Sequence, residues 1–226
     1  MRKIDKQCNL STVYKIWESN LTGDHPSYSH STTKKLHYNS IVMQLLSNQD
    51  GLCAFTEERI CPNNDNTYSD KNWKNGIYKN PKPDISGDLE HFNADLKEKK
   101  GWLWDNFLVV SSFINRKKGT KEVDAILKPD DVNYDASKML NYNPTTNLFS
   151  PHTELTDLEK GRVQKMIDTL EINNGLIVDK RERFLNKIFL LSERGVDLEI
   201  DEFPTAYEMT SILKATDSEG SILDSL

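Results

Sequence analysis

The chain has little cysteine and no long apolar run. It contains three cysteines among 226 residues, at no repeated spacing. An odd, unpatterned set of thiols predicts no disulfide framework and favours the reducing cytoplasm. No apolar run approaches the roughly 18 residues of a membrane-spanning helix, and no apolar core of a signal peptide follows the first residues. We therefore expect a cytoplasmic protein with no membrane contact.

Several common catalytic motifs are also missing from the sequence. There is no Gly-x-x-x-x-Gly-Lys-Ser/Thr loop, so the chain itself is not a P-loop ATPase. There is no Gly-x-Ser-x-Gly elbow of the serine hydrolases either. Cys53 lies in an apolar setting, which raises the pKa of a thiol and argues against a cysteine nucleophile.

Charge is distributed unevenly along the chain. The net charge is -6, but residues 71–121 carry eleven Lys and Arg against six Asp and Glu, a net of +5. Residues 122–226 carry eleven against twenty-one, a net of -10. This pattern predicts phosphate binding near the basic segment, and water or a protein partner around the acidic remainder.

The residues with the clearest chemistry lie inside that basic segment, between Asp88 and Gly119. The apolar residues around Leu89 predict a first strand, and the run from Phe107 to Val110 predicts a second. A helix follows from Ser112, with Ser111 or Ser112 as its cap. Because neighbouring side chains of a strand point to opposite faces, we expect the first strand to end at Glu90, so that His91 can face the same site.

Each polar residue of this stretch suits one task at a phosphodiester bond. Glu90 and Asn115 supply oxygen ligands for Mg²⁺ or Mn²⁺. His91 can accept a proton from the attacking water, and Asn106 holds the loop between the strands. Side chains that can grip phosphate follow: Arg116, Lys117, Lys118 and Lys121. A Glu-His pair alone is usually structural; its order with the two asparagines and the basic turn favours a ββα metal site.

The same residues carry a resemblance to a known family. Glu90-His91, then Asn106, then Asn115-Arg-x-Lys resembles the HNH nuclease motif, with asparagine in its last position. The context from Gly51-Leu-Cys-Ala-Phe to Arg181 is similar to the HNH endonucleases of the PtuB type, from Septu and retron anti-phage systems. The resemblance covers residues 30–185. It implies a metal-dependent endonuclease acting on DNA, or alternatively RNA, beside a partner ATPase.

The chain departs from that family at its cysteine pairs. Where the family has two Cys-x-x-Cys pairs that clamp a structural zinc, this chain has Cys53-Ala-Phe-Thr and Ser111-Ser-Phe-Ile. Because zinc needs about four ligands, we expect no structural zinc and ordinary packing around Phe55, Phe113 and Ile114 instead. The missing thiolates also favour a second hypothesis about function. In it, the protein is a non-catalytic adaptor with a degenerate HNH fold that binds the ATPase.

The expected architecture is α+β, with a small ββα-metal motif at about 88–121 inside a mostly helical domain. Residues 1–30 are predicted to be an arm, 31–195 the endonuclease domain and 196–226 an acidic extension. Apolar spacing predicts a helix over 32–47. The capping box Thr156-Asp-Leu-Glu opens a cover of two helices over 156–194, the second from about 179. We also expect a long loop over 62–87, a helix over 205–215 and frayed residues after 215.

Overall fold

The computed structural model describes residues 1–62, 67, 69–80 and 84–223, the last seven as backbone alone. It contains α-helices and short antiparallel strand pairs, so the predicted α+β class is confirmed. Within the described residues, no helix is both long and apolar enough to cross a bilayer. The residues group into two compact units. The hairpin unit comprises Ile4–Phe55 and Arg59–Val123, and the C-terminal unit comprises Met1–Lys3, Thr56–Glu58 and Asp124–Leu226.

The elements of the hairpin unit are α1 Thr12–Ser19, α2 Ser31–Asn48, β1 Trp73–Lys74, β2 Ile77–Tyr78, β3 Gly87–His91, β4 Phe107–Ser111 and α3 Ser112–Lys118. Those of the C-terminal unit are α4 Ala136–Met139, β5 Leu140–Asn143, β6 Leu148–Pro151, α5 Asp157–Thr169, α6 Gly175–Ser192 and α7 Pro204–Leu223. The pairs β1–β2, β3–β4 and β5–β6 are antiparallel.

The hairpin β3–β4 is the centre of its unit. Its register pairs Gly87 with Ser111 and His91 with Phe107, and its apolar side chains are buried because other elements cover both faces. A Cβ on Gly87 would lie 2.8 Å from a methyl of Ile60 and 3.0 Å from the Val110 carbonyl oxygen, so a larger residue there would require the Ile60 side chain and the β4 backbone to shift. Helix α3 follows β4 directly and packs against both strands.

The edge of β4 that faces away from β3 is covered by side chains and a loop. The Val109 N–H donates to Gln49 Oε1 at 3.0 Å, and Gln49 Nε2 donates to the Val109 carbonyl at 2.7 Å. The Ala54 N–H donates to the same carbonyl, and the Ser111 N–H donates to Cys53 Sγ at 3.3 Å. The residues after α2 therefore complete the hydrogen bonding of β4.

Helix α2 matches its sequence prediction within one residue at each end. Its apolar side chains Ile41, Val42, Leu45 and Leu46 are fully buried. Nδ1 of His30 accepts the Thr33 N–H as the N-terminal cap. The predicted apolar face is thus confirmed, and it anchors α2 beside the hairpin.

A cluster of aromatic side chains joins α1 and α2. The ring of His37 stacks on Trp17 at 4.7 Å and meets Tyr14 edge-on at 5.7 Å. The Tyr14 hydroxyl donates to the Trp102 carbonyl at 2.7 Å, and Tyr14 is fully buried. Residues 4–30 therefore belong to the hairpin unit, although the sequence predicts an arm there.

We expect His37 to make folding sensitive to acid. Burial lowers the pKa of its imidazole below the ordinary 6.5, so between the two pKa values the unfolded chain binds more protons than the folded one. Stability must then fall as the pH decreases from about 6.5. His37→Phe keeps the stacking and removes the titration, so its unfolding free energy should depend less steeply on pH.

Urea unfolding followed at intervals from pH 7.5 to 5 measures this dependence. The slopes of the two proteins should differ least near pH 7.5, where His37 is neutral in both states. Equal slopes for His37→Phe and wild type across this range would contradict the prediction.

The C-terminal unit contains the predicted pair of helices. The capping box is present, since the Glu159 N–H donates to Thr156 Oγ1 and the Thr156 N–H donates to Glu159 Oε2. Helix α6 begins at Gly175 rather than at about 179, because Asn174 Oδ1 accepts the Leu176 N–H and starts the helix earlier. Helix α7 continues to Leu223, so the predicted fraying after 215 is wrong through 223, and 224–226 lie outside the described residues.

Arg181 organises the interior of the C-terminal unit. Its guanidinium is buried and donates to the carbonyls of Asn147 and Ile172, each at 2.8 Å. It also lies 4.8 Å from the ring centre of Phe149. Burial lowers the pKa of Arg181 to about 10, and the group remains charged at neutral pH.

The domain boundaries predicted from the sequence differ from the boundaries of the two compact units. The predicted domain 31–195 contains parts of both units, and the predicted extension 196–226 contributes to the C-terminal unit. The predicted loop 62–87 contains the hairpin β1–β2 in its described part, while 63–66, 68 and 81–83 lie outside it.

Candidate functional site

A cleft of about 590 Å³ opens within the hairpin unit. Strand β3 contributes Asp88, Glu90 and His91 to its walls, and helix α3 contributes Asn115. Glu90, His91 and Asn115 are therefore brought to one place, although 24 positions separate His91 from Asn115 along the chain. The antiparallel hairpin and the helix that follows it achieve this, because they return the chain to β3.

The first strand does not end at Glu90 as the sequence predicts. His91 still pairs with Phe107 inside the ladder. The Glu90 carboxylate reaches Lys118 on α3, while the His91 ring contacts Tyr28 and Phe107, at 4.6 and 5.0 Å between ring centres. Both residues nevertheless border the cleft, so the site does not require the strand to end early.

The His91 imidazole is held in one tautomer. Its Nε2 lies 2.8 Å from the Gly101 carbonyl oxygen. Since a carbonyl can only accept, Nε2 carries the hydrogen and Nδ1 keeps its lone pair. Burial lowers the pKa of His91 to about 4; the Gly101 hydrogen bond opposes this, and the charges of Lys97 and Lys118 add to it. The ring is therefore neutral at pH 7 and able to accept a proton.

Glu90 forms a buried ion pair. Its Oε1 accepts from Lys118 Nζ at 2.6 Å, and the same ammonium lies 3.3 Å from the His91 carbonyl oxygen. Burial raises the pKa of the Glu90 carboxyl, and Lys118 offsets part of that rise. Lys118 is fully buried. In place of the predicted phosphate contact, it neutralises Glu90, because helical spacing puts it on the buried face with Ile114.

The other predicted phosphate-binding residues lie outside the cleft. Arg116, Lys117 and Lys121 are exposed at and just beyond the end of α3, and none of them lines the cleft. They are accessible to a polyanion that runs past the site. The predicted cation set therefore divides into one buried lysine and three surface side chains.

Asn106 ties the loop between the strands to the start of β4. Its Oδ1 accepts the Asn93 N–H at 2.8 Å, and its Nδ2 donates to the Asn93 carbonyl at 2.9 Å. The Phe92 N–H also donates to the Asn106 carbonyl at 2.8 Å. Because Asn106 is buried and makes these bonds to backbone, it fixes the path of the chain immediately after His91.

Several residues of the cleft were not identified from the sequence. Asp88 shares a strand face with Glu90, two positions away, and this alternation was a usable signal. Tyr28, Lys34, Tyr38 and Lys97 also line the cleft. They come from the segment before β3 and from the interstrand loop, so only the folded chain shows that they belong to the site.

The structure also brings Cys53 and Ser111 together, the first residues of the segments Cys53-Ala-Phe-Thr and Ser111-Ser-Phe-Ile. Cys53 is buried, and its sulfur accepts the Ser111 N–H at 3.3 Å. The first residues of the two segments are therefore in contact. Phe55 packs on Phe92 at 6.3 Å between ring centres, and Ile114 is fully buried. The contact from the Ser111 N–H to the Cys53 sulfur joins these two segments.

The oxygen donors at the cleft fit a hard cation. Across residues 1–62, 67, 69–80 and 84–223, no three His, Cys, Asp or Glu side chains are grouped as for a metal ion. Mg²⁺ usually needs only one or two carboxylates and keeps several waters. Glu90, Asp88 and the amide oxygen of Asn115 supply that type of donor around one opening. One oxygen of Glu90 is already bound to Lys118, so a cation would share that carboxylate.

No protein-family model matches the chain, and no curated protein is significantly similar to it.

Proposed function

We propose that this protein is a metal-dependent endonuclease of the HNH type that hydrolyses phosphodiester bonds in nucleic acid, with DNA as the favoured substrate. The observation that supports this most directly is the convergence of Glu90, His91 and Asn115 on one cleft. Glu90 and His91 are carried by β3 and Asn115 by α3, the helix that follows the antiparallel partner strand β4. The order of residue types is that of a ββα-metal site.

His91 is the general base of the proposed reaction. The Gly101 carbonyl holds the hydrogen at Nε2, so Nδ1 is the atom that takes a proton from the attacking water. The low pKa of the ring keeps it neutral throughout the physiological range, so Nδ1 retains its lone pair. Asn106 positions the backbone after His91 through its two bonds to Asn93.

Glu90 and Asn115 would hold Mg²⁺ or Mn²⁺, with Asp88 as a further oxygen donor at the same opening. When bound, such an ion polarises the scissile phosphate and neutralises charge on the leaving oxygen. Arg116, Lys117 and Lys121 are exposed beyond the cleft and would hold phosphates away from the cut. The net charge of +5 over residues 71–121 favours binding of a polyanion such as nucleic acid.

The wider role follows from the resemblance to PtuB-type nucleases. By that resemblance the protein is the effector nuclease of a cytoplasmic anti-phage system and works with a partner ATPase. The segment 122–226, with its net of -10, is where we expect a protein partner to bind. The exposed charge of that segment makes it a poor surface for nucleic acid.

One observation favours a second function, that of a non-catalytic adaptor. Lys118 already neutralises Glu90 inside the unit, at 2.6 Å. An internal ammonium in this position can replace a metal ion as the counter-charge of the carboxylate. An adaptor of this kind would bind the ATPase and have no affinity for Mg²⁺ or Mn²⁺ at the cleft.

Cleavage assays with an Asn115 variant distinguish the two functions. We expect the wild-type protein to cut plasmid DNA or structured RNA with Mn²⁺ or Mg²⁺, and a chelator to stop the reaction. Asn115→Ala should cut at least about 10- to 100-fold more slowly than wild type, because even changes outside the ligand shell cost a metal site that much activity. High Mn²⁺ should restore part of the rate. The exposed Asn133→Ala is the matched control and should cut like wild type.

Each assay is run with the protein alone and with any ATPase that co-purifies with it. Cleavage that persists in chelator would contradict a metal-dependent mechanism. Absence of cleavage in every condition, together with no Mn²⁺ binding by calorimetry, would reject the nuclease, and binding of the ATPase by the same protein would then support the adaptor.

A further inference from the structure

We propose that the cleft binds an unpaired strand of nucleic acid, with Tyr38 and Tyr28 stacking on bases and Lys34 and Lys97 contacting the adjacent phosphates. This inference rests on the proposed nuclease function and specifies the form of its substrate. It is carried by residues other than the proposed metal ligands and general base.

The four residues come from segments far apart in the sequence. Lys34 and Tyr38 are four positions apart on α2 and therefore share one face of that helix. Tyr28 lies in the turn before α2, and Lys97 lies in the loop between β3 and β4. All four line the cleft that contains Glu90, His91 and Asn115.

The lysines lie against the tyrosine rings. Lys34 Nζ is 5.5 Å from the centre of the Tyr38 ring and 5.9 Å from that of Tyr28. Lys97 Nζ lies 5.2 Å from the Tyr28 ring centre. Aromatic faces flanked by cations are the usual means of binding single strands, since each base can stack while the neighbouring phosphate meets a positive charge.

The tyrosines are only partly buried, so the cleft retains aromatic surface. The Tyr28 ring meets the His91 ring edge-on, with 4.6 Å between centres and 85° between planes. A base stacked in this part of the cleft would therefore lie beside the proposed general base. The scissile phosphate would be that of an unpaired nucleotide.

A duplex does not suit these contacts. Its bases are stacked on one another and present only their edges, whereas bases of unpaired strands expose faces that aromatic side chains can cover. The cleft volume of about 590 Å³ lies in the range of sites that enclose a small ligand. Glu90, Asp88 and Glu98 also line it, so phosphates should lie at Lys34 and Lys97 and away from these carboxylates.

Binding assays in chelator test the inference without cleavage. Fluorescence anisotropy is measured for the full chain with labelled single-stranded DNA, single-stranded RNA of the same sequence, and blunt duplex DNA. Either single strand should bind more tightly than the duplex, and the two single-stranded arms show which sugar is preferred. Tyr38→Leu should weaken single-strand binding about 10-fold, within the usual range for loss of one stacked base. Tyr38→Phe keeps the ring and should retain most of the single-strand binding that Tyr38→Leu loses.

Lys34 and Lys35 provide a matched pair for the charge. Both are exposed on α2, but only Lys34 lines the cleft. Lys34→Gln should reduce the slope of log affinity against log salt by about 0.7 for single strands, the loss of one phosphate contact. Lys35→Gln should change that slope much less.

The inference is overturned if the duplex binds as tightly as the single strands, or if no probe binds at all. It is also overturned if Tyr38→Leu binds like wild type, or if Lys35→Gln acts like Lys34→Gln. Cleavage that requires His91 but shows none of these preferences would leave the nuclease intact and reject this inference alone. Selective single-strand binding without cleavage in any condition would reject the nuclease and leave the binding inference intact.

Discussion

Replacing His91 with alanine is expected to lower the rate of nucleic-acid cleavage by about 10²- to 10⁴-fold, the usual loss for one general base. Nδ1 of His91 is the proton acceptor in the proposed mechanism, and its tautomer is fixed by the 2.8 Å contact of Nε2 with the Gly101 carbonyl. The measurement is the initial rate of plasmid and RNA cleavage with Mn²⁺, normalised to the folded fraction.

His37→Ala is the matched control for this variant. His37 and His91 are both buried histidines of the hairpin unit, but only His91 lines the cleft. Each alanine variant loses buried ring contacts and therefore some stability. We expect only His91→Ala to lose activity at a temperature where both remain folded. Activity of His91→Ala within a few-fold of wild type would exclude it as the base.

Replacing Lys118 with methionine is expected to destabilise the protein by about 3–5 kcal/mol, because it leaves the Glu90 carboxylate buried without its partner. The double variant Lys118→Met with Glu90→Gln removes both charges and should recover much of the loss. Urea unfolding at pH 7.5 measures each change. Lys117→Met, the exposed neighbour, should have little effect.

The Lys118 variant also reports on metal binding. With its ammonium gone, Glu90 Oε1 is released from Lys118 and is open to a cation. A metal that binds only the folded state adds about 2.7 kcal/mol at a hundred times its Kd. Mn²⁺ should therefore stabilise Lys118→Met more than wild type and should not stabilise the double variant. If Mn²⁺ stabilises none of the three proteins, the oxygens at this cleft do not hold a metal.

Local signals in the sequence predicted much of the fold. The apolar spacing in α2 and the capping box before α5 act within a few residues, and both are present in the structure. The second strand and the helix after it also lie where their patterns indicate. These elements could be found from sequence because their main determinants are short-range.

Other features depend on contacts between distant residues. The run Asn-Arg-Lys-Lys-Gly does not itself show which lysine faces inward, although the spacing from Ile114 to Lys118 contained that information. The pairing of His91 with Phe107 is set by the hairpin register, which the pattern of β3 alone does not specify. Lys34 and Tyr38 join the cleft only because α2 packs beside the hairpin.

The bonds that Gln49 makes to Val109 have a consequence for association between molecules. An exposed strand edge offers unpaired N–H and C=O groups to which another chain can add a strand, the first step in many forms of aggregation. At the middle of β4 both outward groups are occupied by one amide side chain, and the Ser111 N–H is occupied by a sulfur. Gln49 thus acts as a substitute strand that protects a two-stranded ribbon from self-assembly.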